Sequence, residues 1–117
     1  MPKSLPVVDI SAPVCCAPLG AGPVEPAVAL ALALRLKALA DPARIQLIAI
    51  LMGARPDAVC ACDLADAVGL SPGTVSHHLA RLKKAGLATS ERRGVNIFYR
   101  ADTVAIEALR AVLATCC

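Results

Sequence analysis

A chain of 117 residues and 12.0 kDa has room for one domain. Hydrophobic residues make up 57% and aromatics 2%, so alanine and leucine carry an apolar fraction that excludes disorder and disfavours a sandwich or barrel. The formal charge of +3 is gathered in one place: −1 over residues 1–70, +5 over 71–100 and −1 over the last 17, the footprint of a module that binds a polyanion, with a solvated basic face as the alternative that charge alone leaves open.

Residues 1–26 hold six of the nine prolines and read as a flexible, non-helical arm that carries Cys15 and Cys16. Pro2, Pro6 and Pro13, with Asp9 between them, break any signal-peptide core. The most apolar run, Ala27–Leu34, stops at Arg35, well short of the ~20 residues a membrane span needs. A cytoplasmic protein with no membrane partner is expected, and in that compartment its six cysteines are expected as thiols.

The body, 27–117, begins with a helix over Ala27–Ala40. Leu30, Leu32, Leu34, Leu36 and Leu39 leave it apolar nearly all round, as a helix buried against a second subunit would be. Asp41-Pro42 is a cap-plus-proline start for a helix to about Met52, expected to bury Ile45, Leu47, Ile48 and Leu51. A short helix over Cys62–Val68, with Leu64, Ala65 and Val68 on one face, ends at Gly69.

Ser71-Pro72 repeats the start signal for a helix to Ala85, with Val75, Leu79 and Leu82 on one face. The short glycine-containing turn between these last two helices is that of a helix-turn-helix. Leu87–Arg93 and Val95–Ala101 read as a basic hairpin around Gly94, and Asp102 caps a last helix through Val104, Ile106, Leu109, Val112 and Leu113. The fold expected is therefore mainly α with a small β-hairpin, a winged helix-turn-helix.

In such a fold the second helix enters the major groove by its N-terminal residues. Here those are Ser71, Gly73, Thr74, Ser76, His77 and His78. Arg81 and Lys84 further along suit phosphates, and Arg92, Arg93 and Asn96 of the hairpin suit an adjacent minor groove or backbone. The expected partner is operator double-stranded DNA. The two histidines point about 100° apart, so one of them can serve packing instead.

Leu36-Lys37-Ala38-Leu39-Ala40-Asp41-Pro42-Ala43-Arg44, Val59-Cys60-Ala61-Cys62-Asp63-Leu64, Ser71-Pro72-Gly73-Thr74-Val75-Ser76-His77-His78-Leu79 and the Arg93-Gly94 hairpin ending in Tyr99 resemble, in that order, four motifs of the ArsR/SmtB metalloregulators. The resemblance covers about residues 27–115. It implies a homodimer built from the first and last helices, and an operator repressed until a metal or metalloid binds.

The cysteines form three pairs, Cys15-Cys16, Cys60-x-Cys62 and Cys116-Cys117. All-thiolate sites select soft ions, and vicinal pairs crowd a zinc tetrahedron. Trivalent arsenic, which takes three sulfurs in a shallow pyramid, suits them better.

The resemblance adds that Cys60-x-Cys62 stands at the family's arsenite or cadmium/lead position, and that some arsenite-responsive members carry a Cys-Cys pair on an N-terminal arm. The expected ligands are Cys15, Cys16 and one or both of Cys60 and Cys62, drawn from across the dimer, with Cys116 and Cys117 as a further pair. The expected inducer is arsenite, As(III), or Sb(III), with Cd(II), Pb(II) or Zn(II) as alternatives. The family's last-helix zinc pattern is here reduced to Asp102 and Glu107 without histidines.

A thiol redox repressor and a thiol-rich metalloid carrier without DNA function are the competing readings. An enzyme is not expected: the chain has no phosphate loop, serine elbow or assembled carboxylate pair.

Overall fold

Side-chain caps and one left-handed glycine punctuate the helices. The computed structural model describes residues 22–113. Helix α1 runs Pro26–Leu39 and α2 Pro42–Gly53. The Asp41 carboxylate between them accepts from the backbone N–H of Ala43 and Arg44 at 2.9 and 3.4 Å, satisfying two donors the helix leaves open. Strand β1, Val59–Cys60, leads directly into α3, Ala61–Val68. Gly69 closes α3 at φ +70°, a left-handed conformation that L side chains rarely adopt.

Helix α4, Pro72–Lys84, follows at once, capped by Ser71 Oγ, which accepts from Thr74 N–H at 3.2 Å. Strands β2, Ala88–Arg93, and β3, Asn96–Ala101, form the hairpin, and α5, Thr103–Leu113, is capped by Asp102 Oδ1 accepting from Ala105 N–H at 3.0 Å. The chain is thus mainly helical with a small antiparallel sheet.

Leu47, Leu51, Leu64, Val75, Leu79, Leu82 and Leu87 are the largest fully buried side chains, drawn from α2, α3, α4 and the entrance to the hairpin. They lock α3 and α4 against α2, which fixes the helix-turn-helix. No helix among the described residues is long and apolar enough to cross a membrane.

Four details depart from the sequence reading. The sheet has three strands, in the order β1-β3-β2, because Val59 and Cys60 pair with Tyr99 and Phe98. The hairpin strands begin at Ala88 and Asn96, with Gly94 at φ +65° and the 91%-exposed Val95 forming the two-residue turn. Ile45 is 55% exposed: it lies two residues, about 200°, from the buried Leu47 and so on the far side of α2. Cys60 and Cys62 are joined as a disulfide where thiols were expected; the turn from β1 into α3 brings their Cα atoms to 5.2 Å. Residues 1–21, with Cys15 and Cys16, and 114–117, with Cys116 and Cys117, lie outside the described residues.

Along α1 no residue is buried, and Val28, Leu30 and Leu34 are all more than half exposed. A cleft of about 410 Å³ runs between α1 and α5, walled by Val28, Ala31, Leu32, Ala108, Leu109 and Val112. An apolar face of this extent marks an interaction surface.

Candidate nucleic-acid interface and thiol site

Val75, Leu79 and Leu82 turn one face of α4 into the core, and that choice decides which residues face outward. Ser71, Gly73, Thr74, Ser76 and His77 are exposed along the N-terminal half of the helix. Ser71 has a second engagement besides the cap: its hydroxyl donates to Thr74 Oγ1 at 2.9 Å. The small residues and the open helix N-terminus together suit close approach to a phosphate or a base edge.

His77 and His78 part company. His77 Nε2 accepts from Arg81 Nε at 3.0 Å and so holds the guanidinium against the same exposed face. His78 is half-buried and its Nδ1 has no partner among the described residues. Burial pushes the Asp41 carboxyl up, but the Ala43 and Arg44 N–H groups, with His78 and Arg44, outweigh it and hold the pKa below the usual carboxylate value.

On the hairpin, Arg92, Arg93 and Asn96 are exposed. Arg93 is anchored: its Nη2 meets Glu91 Oε1 at 3.0 Å, and its guanidinium lies 4.5 Å from the centre of the Phe98 ring. Glu91 also holds Arg100 at 2.6 Å. Hydrogen bonds from Arg93 and then Arg100 keep the Glu91 carboxyl below its usual range. Arg92 carries no salt bridge among the described residues, and Lys84 lies on the last turn of α4. Positive charge thus flanks the exposed face of α4 on the hairpin side and at the helix's far end.

The thiol segment sits at the opposite end of the helix-turn-helix. Cys60 is 6% exposed and is the cap of α3, its Sγ accepting from Cys62 N–H at 3.3 Å, while Cys62 is exposed. Once the disulfide is reduced, two sulfurs this close can close on one soft ion as a chelate. Asp102 and Glu107 are otherwise employed, Asp102 as the α5 cap and Glu107 paired with Arg110 at 2.9 Å. Among the described residues no group of three His, Cys, Asp or Glu side chains is placed to hold a metal. Sequence reasoning missed the pairing of the thiol segment with the hairpin and the approach of His78 to Asp41; neither leaves a periodic signal.

An exposed reading helix braced by a second helix, beside a basic hairpin, defines a winged helix-turn-helix DNA-binding domain. The pattern of the family described as "Bacterial regulatory protein, arsR family" matches residues 41–90. The arsenic resistance transcriptional regulator ArsR1 of Pseudomonas putida is 39% identical over 64 residues, 55% of this chain and 48% of its own.

Among solved structures, the antimony-specific transcriptional repressor AntR is 34% identical with a TM-score of 0.64, over 78% of this chain and 81% of that one. The homodimeric winged helix-turn-helix domain of Mb0332 from Mycobacterium bovis, a possible ArsR-family regulator, is 30% identical with a TM-score of 0.62, over 79% and 84%. The chain spans about half the length of the curated relatives it matches. It belongs to the ArsR/SmtB family of transcriptional regulators.

Proposed function

We propose that this chain is an arsenite-responsive repressor, acting in the cytoplasm, that binds operator DNA as a homodimer and leaves it when As(III) or Sb(III) is captured by cysteine thiolates. The observation that carries this reading is the close Cys60-x-Cys62 pair at the entrance to α3, the helix that precedes the reading helix. Cys15 and Cys16, with one or both of Cys60 and Cys62, make up a set of three or four sulfurs, and Cys116 and Cys117 offer a further pair. The apolar α1 and α5 faces support a dimer built on the first and last helices, an arrangement that sets two reading helices about one DNA turn apart.

DNA contact is assigned to Ser71, Gly73, Thr74, Ser76, His77, Arg81, Lys84, Arg92, Arg93 and Asn96. His78 is assigned to bracing the helix against α2. Binding a soft ion to arm and α3 together restrains the segment before the helix-turn-helix and draws the reading heads out of register. Linkage requires As(III) to bind the DNA-free dimer more tightly than the DNA-bound one, by a coupling of about 1–3 kcal/mol.

Operator release titrated with arsenite, antimonite, Cd(II), Pb(II) and Zn(II) on one fully reduced sample is the test. Release by arsenite and antimonite at the lowest concentrations is expected. Release by Cd(II), Pb(II) or Zn(II) alone would shift the assignment to those ions, and full occupancy of the operator in saturating arsenite would overturn it.

A second reading is favoured by the Cys60–Cys62 bond itself, that of a redox-responsive repressor. There the two thiols would give two electrons and two protons to a peroxide, leaving disulfide and water. Operator release by peroxide in metal-free buffer, reversed by dithiol, would support it.

A further inference from the structure

Between the end of α1, the start of α2 and the far half of α4 lies a cleft of about 320 Å³ bordered by four cationic side chains, Lys37, Arg44, Arg81 and Lys84. Leu34 and Ala38 supply its apolar wall, and no carboxylate lines it. None of the four cations takes part in a salt bridge among the described residues, where the three such bridges use Glu91 and Glu107.

Three of these cations have an ordinary explanation. Lys37 stands in the last turn of α1 and Arg81 and Lys84 near the end of α4, where positive charge offsets the helix dipole. Arg44 does not. It stands in the first turn of α2, the helix end that disfavours a cation, and its Nε is buried without a hydrogen-bond partner among the described residues. Asp41, nearby, is committed to capping α2. Four like charges around one small space, one of them with a buried unsatisfied donor, repel each other unless an anion joins them.

We propose that this cleft binds a phosphate-type oxyanion, a single tetrahedral group that takes hydrogen bonds from the Arg44 and Arg81 guanidinium groups and is neutralised further by Lys37 and Lys84. Such a group has two sources, a backbone phosphodiester of bound DNA or free inorganic phosphate. The first source rests on the operator reading above and extends the DNA contact to α1 and α2; the second is independent of it.

The experiment uses the full chain, fully reduced, as wild type, K37Q/R44Q, K37Q and the control K83Q, which matches K37Q in charge and whose lysine lies outside the cleft and donates to Ser90. In the first arm, amide resonances of Lys37, Ala38, Arg44 and Ala85 are followed as inorganic phosphate replaces chloride at constant ionic strength. Saturable shifts in wild type and K83Q that vanish in K37Q/R44Q support the proposal. In the second arm, operator affinity is measured against salt concentration. If a DNA phosphate fills the cleft, the slope of log affinity against log salt shrinks in K37Q/R44Q by about 0.9 for each phosphate lost, or about 2 for two protomers.

Phosphate shifts with an unchanged slope assign the free anion, and a reduced slope assigns the DNA backbone. Absence of both overturns the proposal. A wild type that binds no operator sinks the operator reading and leaves the phosphate arm to decide alone. K37Q, at an exposed position, carries both arms if the double variant unfolds early in a thermal melt.

Discussion

Arg81 and His77 are bonded to each other one turn apart on the exposed face of α4, Nε to Nε2, at 3.0 Å. The imidazole therefore aims a guanidinium that would otherwise sweep a wide arc. Replacing Arg81 by Gln should weaken binding to all DNA sequences alike and reduce the salt slope by about 1 per protomer. His77→Ala should instead change which operator bases are preferred, with a smaller effect on the slope. Fluorescence anisotropy on a set of single-base operator variants, repeated across a salt series, separates the two.

The thiol assignment predicts a division of labour. Cys15→Ser and Cys16→Ser should leave operator affinity within about twofold of wild type, because neither is assigned to DNA contact, and should abolish release by arsenite. The double variant C60S/C62S should do the same. Loss of operator binding in either arm variant would make the arm structural. Titrating release and counting arsenic bound per dimer in the same preparations checks both parts.

Val28 is 54% exposed and lies on the α1–α5 cleft. A charge there cannot be buried against a second apolar surface without a large desolvation cost. Val28→Asp should yield a monomer by sedimentation equilibrium and lower operator affinity more than about tenfold, since one reading helix then acts alone. The monomer should keep its helical circular dichroism, because only Ala38 and Leu39, at the far end of α1 from Val28, pack against the core of its own chain.

Glu91 has a pKa held below its usual value by hydrogen bonds from Arg93 and Arg100. A group whose folded pKa is depressed adds stability that is complete above the ordinary carboxylate range, near pH 4–4.5, and is lost as pH falls through the folded value. Thermal melts of wild type and Glu91→Gln should therefore differ slightly at pH 7, wild type being the more stable, and converge in strong acid. At neutral pH the variant removes the one acidic charge of residues 71–100 and should bind operator more tightly.

The helix-turn-helix was readable because each signal in it is local. Ser71 and Pro72 mark a start, Val75, Leu79 and Leu82 mark a face, and a backbone that follows them has one way to lie. Strand β1 was not readable, since two residues show no alternation and become a strand only by meeting Tyr99 and Phe98.

Ile45 was assigned to the core because α2 is apolar on several sides. Which side is covered depends on α3 and α4 packing over Leu47 and Leu51, a tertiary choice that leaves no periodic trace. The cation cleft is invisible in sequence for a related reason: Lys37, Arg44 and the pair Arg81 and Lys84 belong to separate helices and meet only in the fold. The grouping of the cysteines into pairs could be read directly, whereas the approach of Cys60 to Cys62 depends on the turn from β1 into α3.

Cys60 pairs with Phe98 across one ladder, and Phe98 pairs with Glu91 across the next, so the three stand in a single row through the sheet. Glu91 is the clasp on two arginines, and Phe98 is the seat of one of them. A displacement of the Cys60 backbone therefore has a rigid crossbar to act on, and Glu91 on the outer strand is its far end. Strand pairing runs from the thiol segment through β3 to the strand that carries Arg92 and Arg93.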